Sequence, residues 1–240
     1  MPVKSLLKIL LLATSAGSLL ISGCSKQTTS QLNTGAATTN PNTVQVQQSI
    51  PETKPLEREP DAEYVPTPQA IVDRMLEIAK VGKNDIVYDL GSGDGRIPIT
   101  AAKKFGARST GIDIDPKRIK EANENAKKSG VTDKVKFLQQ DFFKSDFSDA
   151  TVVILYLDDF VNIKLRPLLF KQLKPGTRVV SLRSHMGDWI DYAHVEQVKC
   201  NPEDNCNSEQ QHSEIYMWRI PKNLPADLRP DPNIDPERLK

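Results

Sequence analysis

The chain has 240 residues, 38% of them hydrophobic and 26% charged, the balance of an ordinary soluble globule with room for one sizeable core. Its 32 Lys and Arg nearly cancel 31 Asp and Glu, for a net charge of +1. There is no cationic excess with which to hold a phosphate backbone, so nucleic acid is not expected as a partner.

In chain order, Lys4 and Lys8 make a basic start, Ile9 to Ser22 is an apolar run, and "ISGC" closes it. That is the order of parts in an export signal. The run falls short of the roughly 20 apolar residues a spanning helix needs. "ISGC" resembles the bacterial lipobox, which implies a signal peptide over residues 1–23 and a lipidated Cys24 as the new first residue. Ser25 in place of Asp implies, by the same resemblance, the outer membrane on its periplasmic side. An uncleaved signal holding the protein to the cytoplasmic face of the inner membrane is the alternative. Without Lys4 and Lys8 the net charge falls from +1 to −1.

From Ser25 to Glu63 the chain is rich in Thr, Gln, Asn, Ser and Pro with few large apolar residues, so residues 24–63 read as a disordered tether and order is expected from Tyr64. In "TPQAIVDRMLEIAK", Thr67 is placed as a cap and Pro68 as the first helical residue, with Ile71, Val72, Met75 and Leu76 on one face and an end near Gly82. "DIVYDL" then reads as a strand, Arg96 to Phe105 as a helix, and "ARSTGIDI" as a second strand. Asp115 caps a helix that opens on Pro116 and runs to Gly130.

Strands "KVKFLQQD" and "TVVILYL" follow, then a helix from Asp159 to Leu173 broken or kinked at Pro167, and strand "TRVVSL". Strands alternating with helices imply an α/β, doubly wound, mostly parallel sheet. "AHVEQVKC" and "SEIYMWRI" have no helix between them, so they are expected to pair antiparallel at the sheet edge. The domain thus spans residues 64–220, and a Pro-rich charged tail fills 221–240.

With Cys24 acylated, Cys200 and Cys206 remain as an even pair, which in an exported protein reads as a disulfide. A competing reading takes His194, Cys200, Cys206 and His212, six residues apart in turn, as four zinc ligands. That spacing is wider than common zinc patterns, and no metal is assigned.

The chemistry concentrates in "VYDLGSGDGRIPI", where a strand runs into a glycine-rich turn and then a helix. Such a turn at the carboxyl end of a parallel strand brings backbone close to a ligand. Taken alone it also fits a tight bend without one. A phosphate loop would need Gly-Lys-Ser/Thr after four spacers, and a dinucleotide turn a glycine where Arg96 stands.

Gly91, Gly93 and Gly95 behind Asp89 resemble motif I of the class I S-adenosylmethionine-dependent methyltransferases. That family has acids at the next two strand ends, and Asp113 and Asp141 stand there. The resemblance implies a seven-stranded Rossmann-like sheet with an antiparallel last strand. It also implies S-adenosylmethionine as cofactor: Asp89 orders the turn and the cofactor ammonium, Asp113 takes both ribose hydroxyls, Ile114 packs on adenine, and Asp141 with the Phe142 amide reads the base.

Within that family, "YVPTP…DIVYDLGSGDGRI…GIDIDP…VVILYL…LKPGTRVVS…GDW" resembles the branch of protein-lysine methyltransferases that act on the ATP synthase c subunit, and their bacterial relatives. This implies a protein substrate, with lysine nitrogen as methyl acceptor and Tyr64 to Thr67 bordering the site. By position after the fourth strand, Tyr156, Asp158 and Asp159 are the candidates to orient the acceptor or take its proton. Asp158 or Asp159 as a helix cap and Tyr156 as a core residue are the other readings. Asp188 and Trp189 are placed, on resemblance, at the acceptor entrance, and His185 is read as structural. An export signal on an enzyme whose cofactor is made in the cytoplasm leaves one more alternative, a catalytically silent binding module in the cell envelope.

Overall fold

The computed structural model describes residues 58–208 and 210–228. The expected signal peptide, Cys24, most of the expected tether and the end of the tail lie outside the described residues. Among the described residues no helix is long and apolar enough to cross a membrane.

Among the described residues, four α-helices and seven strands build the domain. Helix α1 (Gln69–Ile78) leads into β1 (Ile86–Leu90), α2 (Arg96–Phe105), β2 (Arg108–Asp113), α3 (Pro116–Ser129) and β3 (Val135–Gln139). Then come β4 (Val152–Leu155), α4 (Asp159–Gln172), β5 (Arg178–Leu182), β6 (His194–Lys199) and β7 (His212–Arg219). The strands form one sheet in the order β3-β2-β1-β4-β5-β7-β6. Five of them are parallel, β7 runs antiparallel to β5, and β6 pairs antiparallel with β7 at the edge. This is the expected α/β architecture, seven strands with the antiparallel pair at the end.

Alternation along the strands explains why helices cover both faces. Val87, Val152, Ile154, Val180 and Leu182 pack with Ile71, Met75 and Leu76 of α1. Tyr88, Leu90, Val153, Leu155 and Val179 face the other way, toward Leu165 and Leu169 of α4. Each strand residue turns opposite to its neighbour, so a continuously apolar strand feeds two cores.

Several boundaries differ from the sequence reading. Helix α1 starts at Gln69 with Pro68, not Thr67, as its cap residue and without a side-chain cap. The Thr67 carbonyl accepts from Arg96 Nη1 at 2.7 Å. Asp115 caps α3 as expected, accepting from the Lys117 amide at 2.7 Å. Helix α4 continues through Pro167 without a break. The tail contributes to the fold, since Leu228 is only 2% exposed and sits in the same core as Trp218. At the other end, Arg58 to Glu63, assigned by composition to the tether, lie against the domain.

The strand order puts β2 and β3 on one side of β1 and β4 on the other. The chain therefore reverses its winding between β1 and β4, and the crevice at their carboxyl ends is where a doubly wound sheet binds its ligand.

Candidate cofactor site

A cavity of about 230 Å³ opens at that crevice. Its floor is the turn after β1. Gly91, Gly93 and Gly95 all take positive φ, at +85°, +51° and +80°. A Cβ on Gly93 would lie 2.4 Å from the Tyr64 ring, and one on Gly95 2.4 Å from Phe137. Both conformation and space therefore require glycine.

The turn is tied to β2. The amides of Gly91 and Ser92 donate to the Ile112 carbonyl at 2.8 and 3.1 Å. The Gly93 amide donates to Asp113 Oδ2 at 2.8 Å, and the Asp115 amide to Asp113 Oδ1 at 2.9 Å. Each Asp113 oxygen thus has one amide donor, leaving each a further lone pair. Burial holds the Asp113 carboxyl above its ordinary range, partly offset by those two amides.

Asp89 behaves differently. It is 3% exposed and borders the cavity, and no described residue donates a hydrogen bond to its carboxylate. Burial first, then the charges of Asp113 and Asp94, push this carboxyl well above its ordinary range. A buried acid with no donor is costly unless something cationic completes it.

The rest of the rim comes from the N-terminal segment. Tyr64 lies over the turn and under the Arg118 guanidinium, which is 4.4 Å from its ring centroid. Asp94 takes a fork from Arg96, with Nη2 at 2.6 Å and Nε at 2.9 Å. Burial alone would raise the Asp94 carboxyl, but this pairing holds it below its ordinary range. At the far end Ile114, Asp141 and Phe142 line the cavity together with Arg58. The guanidinium of Arg58 forks onto Asp141 at 2.9 and 3.0 Å, and the Phe143 amide donates to the same carboxylate at 3.0 Å. Burial opposes ionisation of Asp141, and Arg58 and the amide outweigh it.

All eight residues expected to hold the cofactor therefore meet: seven border one cavity, and Gly95 closes the turn behind it. The acceptor side meets the expectations less well. Tyr156 borders the cavity, whereas Asp158 and Asp159 do not. Asp158 is exposed at the start of α4 and makes no side-chain cap. Asp159 turns toward the β5 side, where its Oδ1 accepts from the His185 amide at 2.7 Å. Three residues separate β4 from α4, and of these Tyr156 and Leu157 border the cavity while Asp158 does not.

Trp189 is not at an entrance either. It is 1% exposed, stacks on Trp218 with centroids 5.3 Å apart, and meets the edge of Phe170 at 4.6 Å. Asp188 pairs with Arg166. His185 Nδ1 accepts from the Gly187 amide at 3.0 Å. Cys200 and Cys206 are joined as a disulfide. His194 and His212 stand at opposite ends of the β6–β7 ladder, so the four-ligand zinc alternative has no common centre.

Sequence reading missed Arg58, Asp94, Arg96 and Arg118 as rim residues. Asp94 and Arg96 lie inside the glycine motif, and their i, i+2 opposite charges were the available signal. Arg58 sits in a polar stretch and offered none.

Comparison with known proteins finds methyltransferases in each of four results. The ANTKMT methyltransferase domain family matches residues 89–193. A protein-lysine N-methyltransferase of Saccharolobus islandicus is 53% identical over 131 residues, covering 54% of this chain and 81% of that protein. The lysine N-methyltransferase of the ATP synthase c subunit from Xenopus laevis is 30% identical over 127 residues, covering 53% of this chain and 55% of that protein. Among solved structures, an RNA methyltransferase from Salinibacter ruber in complex with S-adenosyl-L-homocysteine is 51% identical at a TM-score of 0.60, covering 69% of this chain and all of that one.

Proposed function

The chain belongs to the S-adenosylmethionine-dependent methyltransferases that share the ANTKMT methyltransferase domain, and on that premise we propose that it methylates the side-chain amine of a protein lysine. The observation that carries this reading is the charge of the cavity. Asp61, Glu63, Asp89, Asp94, Asp113, Asp115 and Asp141 border it against Arg58, Arg96 and Arg118. Each of those arginines already faces a carboxylate partner. Such a rim suits a cationic cofactor and a cationic acceptor, and it opposes a phosphodiester.

The residues fit the cofactor. The Asp89 carboxylate, without a donor among the described residues, matches the ammonium of its methionine portion. The free lone pairs on the two Asp113 oxygens match two ribose hydroxyls, Ile114 offers an apolar face to adenine, and Asp141 with the Phe142 amide suits the base edge. When bound, S-adenosylmethionine supplies a methyl group on a sulfonium, open to in-line displacement without a metal. The protein's part is then alignment, worth roughly 7–11 kcal/mol in favourable cases. Tyr156, which follows β4 and borders the cavity, is the residue we assign to orient the amine as it loses its proton to water.

The two relatives above 50% identity are named for different acceptors, one protein lysine and one RNA. The decisive experiment offers full-length protein a methyl-labelled cofactor with a single-lysine peptide and, separately, an RNA oligonucleotide. Label in N-methyllysine supports the proposal. Label in RNA alone overturns it.

We also place the enzyme in the cell envelope, lipid-anchored through Cys24, on the support of the "ISGC" motif and the basic, apolar stretch before it. A mature N-terminus at acylated Cys24, read by intact mass, is the expected result. A soluble protein that begins at Met1 would refute it.

A further inference from the structure

The fork of Arg58 on Asp141 joins residues 83 positions apart. We propose that Arg58 is a positioning residue for the adenine end of the cofactor, acting through Asp141 to set selectivity for a base with an exocyclic amino group. This rests on the assignment of Asp141 to that amino group.

Arg58 uses every arm of its guanidinium. Nε and Nη2 hold the two Asp141 oxygens, Nη2 also meets Asp61 at 2.6 Å, and Nη1 donates to the Glu59 carbonyl at 2.9 Å. The guanidinium carbon stands 5.9 Å from the Phe143 ring centroid. Such a group has little freedom left, although the side chain is one-third exposed, at 33%.

The effect on Asp141 follows by counting acceptor sites. A carboxylate has about four lone-pair positions. Oδ1 receives Arg58 Nη2 and the Phe143 amide, which fill it, while among the described residues Oδ2 receives only Arg58 Nε. One position on Oδ2 remains, in a carboxylate whose plane the bidentate fork has fixed. A single oriented acceptor suits one N–H donor and rejects a carbonyl oxygen at the same place, since two acceptors facing each other leave both unsatisfied. Without Arg58 the carboxylate keeps its charge but can rotate, and the discrimination blurs.

The test uses the full-length chain and two ligands, S-adenosylhomocysteine and its 6-oxo analogue, which presents an oxygen in place of the amino group. Calorimetric titration gives the preference of the wild type for the amino ligand. Arg58→Gln is expected to cut that preference about tenfold by weakening the amino ligand, with the 6-oxo affinity nearly unchanged and serving as evidence of a folded site. Arg58→Lys, a point charge without the fork, is expected to restore only part of it. An unchanged preference in Arg58→Gln would overturn the proposal. So would tighter binding of both ligands, which would make Arg58 a plug. Asp141→Ala separates the two assignments: if it too leaves the preference intact, the reading of Asp141 has failed, and if it abolishes the preference while Arg58→Gln does not, only the role of Arg58 has.

Discussion

The side-chain amide of Gln210 donates to the carbonyl of Pro66 at 3.1 Å, tying the loop between β6 and β7 to the rim of the cofactor cavity. Gln210 is 2% exposed, and its own carbonyl accepts from the Asn207 amide at 3.1 Å. The next residue in the rim, Thr67, receives Arg96, which in turn holds Asp94 of the glycine turn. The disulfide of Cys200 and Cys206 closes the loop just before Asn207. Gln210→Ala leaves Pro66 without this donor, so cofactor affinity is expected to fall about threefold to tenfold while the protein stays folded, as the loss of the one hydrogen bond that reaches the rim predicts. The substitution also removes the acceptor of the Asn207 amide within the loop, so titration of the variant with S-adenosylhomocysteine is read beside its thermal midpoint. Unchanged affinity would mean that the loop merely rests on the rim.

A second expectation concerns pH and rests on Asp89. Its folded pKa is raised well above the ordinary 3.8, so between those two values the folded state binds more protons than the unfolded one. Stability then falls as pH rises through that window, because ionising the buried carboxyl costs more in the fold than in the open chain. Asp89→Asn removes the titration. The ligand-free variant should be more stable than wild type at neutral pH, and the difference should shrink in acid. Its cofactor affinity should fall at least tenfold, since the ammonium loses a charged partner. Thermal unfolding across pH with and without S-adenosylhomocysteine reads both effects. A variant less stable than wild type at neutral pH would contradict the account.

The parts of this molecule that sequence reveals are those where local pattern and final position coincide. Val152 to Leu155 are apolar throughout because both sheet faces are covered, and the run is visible without coordinates. Asp89, Asp113 and Asp141 come together because parallel strands deliver their ends to one edge, so three acids at successive strand ends mark a site before any contact is known. What stays hidden depends on direction or distance. Asp159 follows a strand that points at the crevice, yet the first turn of α4 aims it at His185. Trp189 sits in a glycine-bearing, polar stretch that looks like a surface loop, and its partner Trp218 lies on β7. Arg58 belongs by composition to a segment expected to be disordered, and its ion pair with Asp141, distant in sequence, reveals its place.

The core position of Trp189 gives a third prediction. Removing a fully buried tryptophan leaves a cavity as well as losing its transfer free energy, for a cost of roughly 3–5 kcal/mol. Trp189→Ala is therefore expected to lower the stability measured by denaturant unfolding by that amount. Cofactor affinity per folded molecule should stay the same, because Trp189 does not border the cavity. A variant of wild-type stability with an impaired acceptor KM would return the residue to the acceptor entrance.

The last prediction separates two duties of Asp113. Its carboxylate braces the Gly93 and Asp115 amides from within the protein, and its remaining lone pairs are those assigned to the ribose. Asp113→Ala removes both, and since two hydrogen bonds to a charged acceptor are together worth more than about 1.4 kcal/mol, affinity for S-adenosylhomocysteine should drop at least tenfold. Asp113→Asn keeps one carbonyl oxygen and adds a donor. It can still accept from the Gly93 amide but not from Asp115 as well, so the turn holds at one end and one ribose hydroxyl loses its acceptor. Its affinity should lie between wild type and Asp113→Ala. A ligand without the 2′-hydroxyl sharpens the test: wild type should bind it less tightly than S-adenosylhomocysteine, whereas Asp113→Ala should bind the two alike. If Asp113→Ala still distinguishes them, the ribose is held elsewhere and Asp113 serves only to shape the turn.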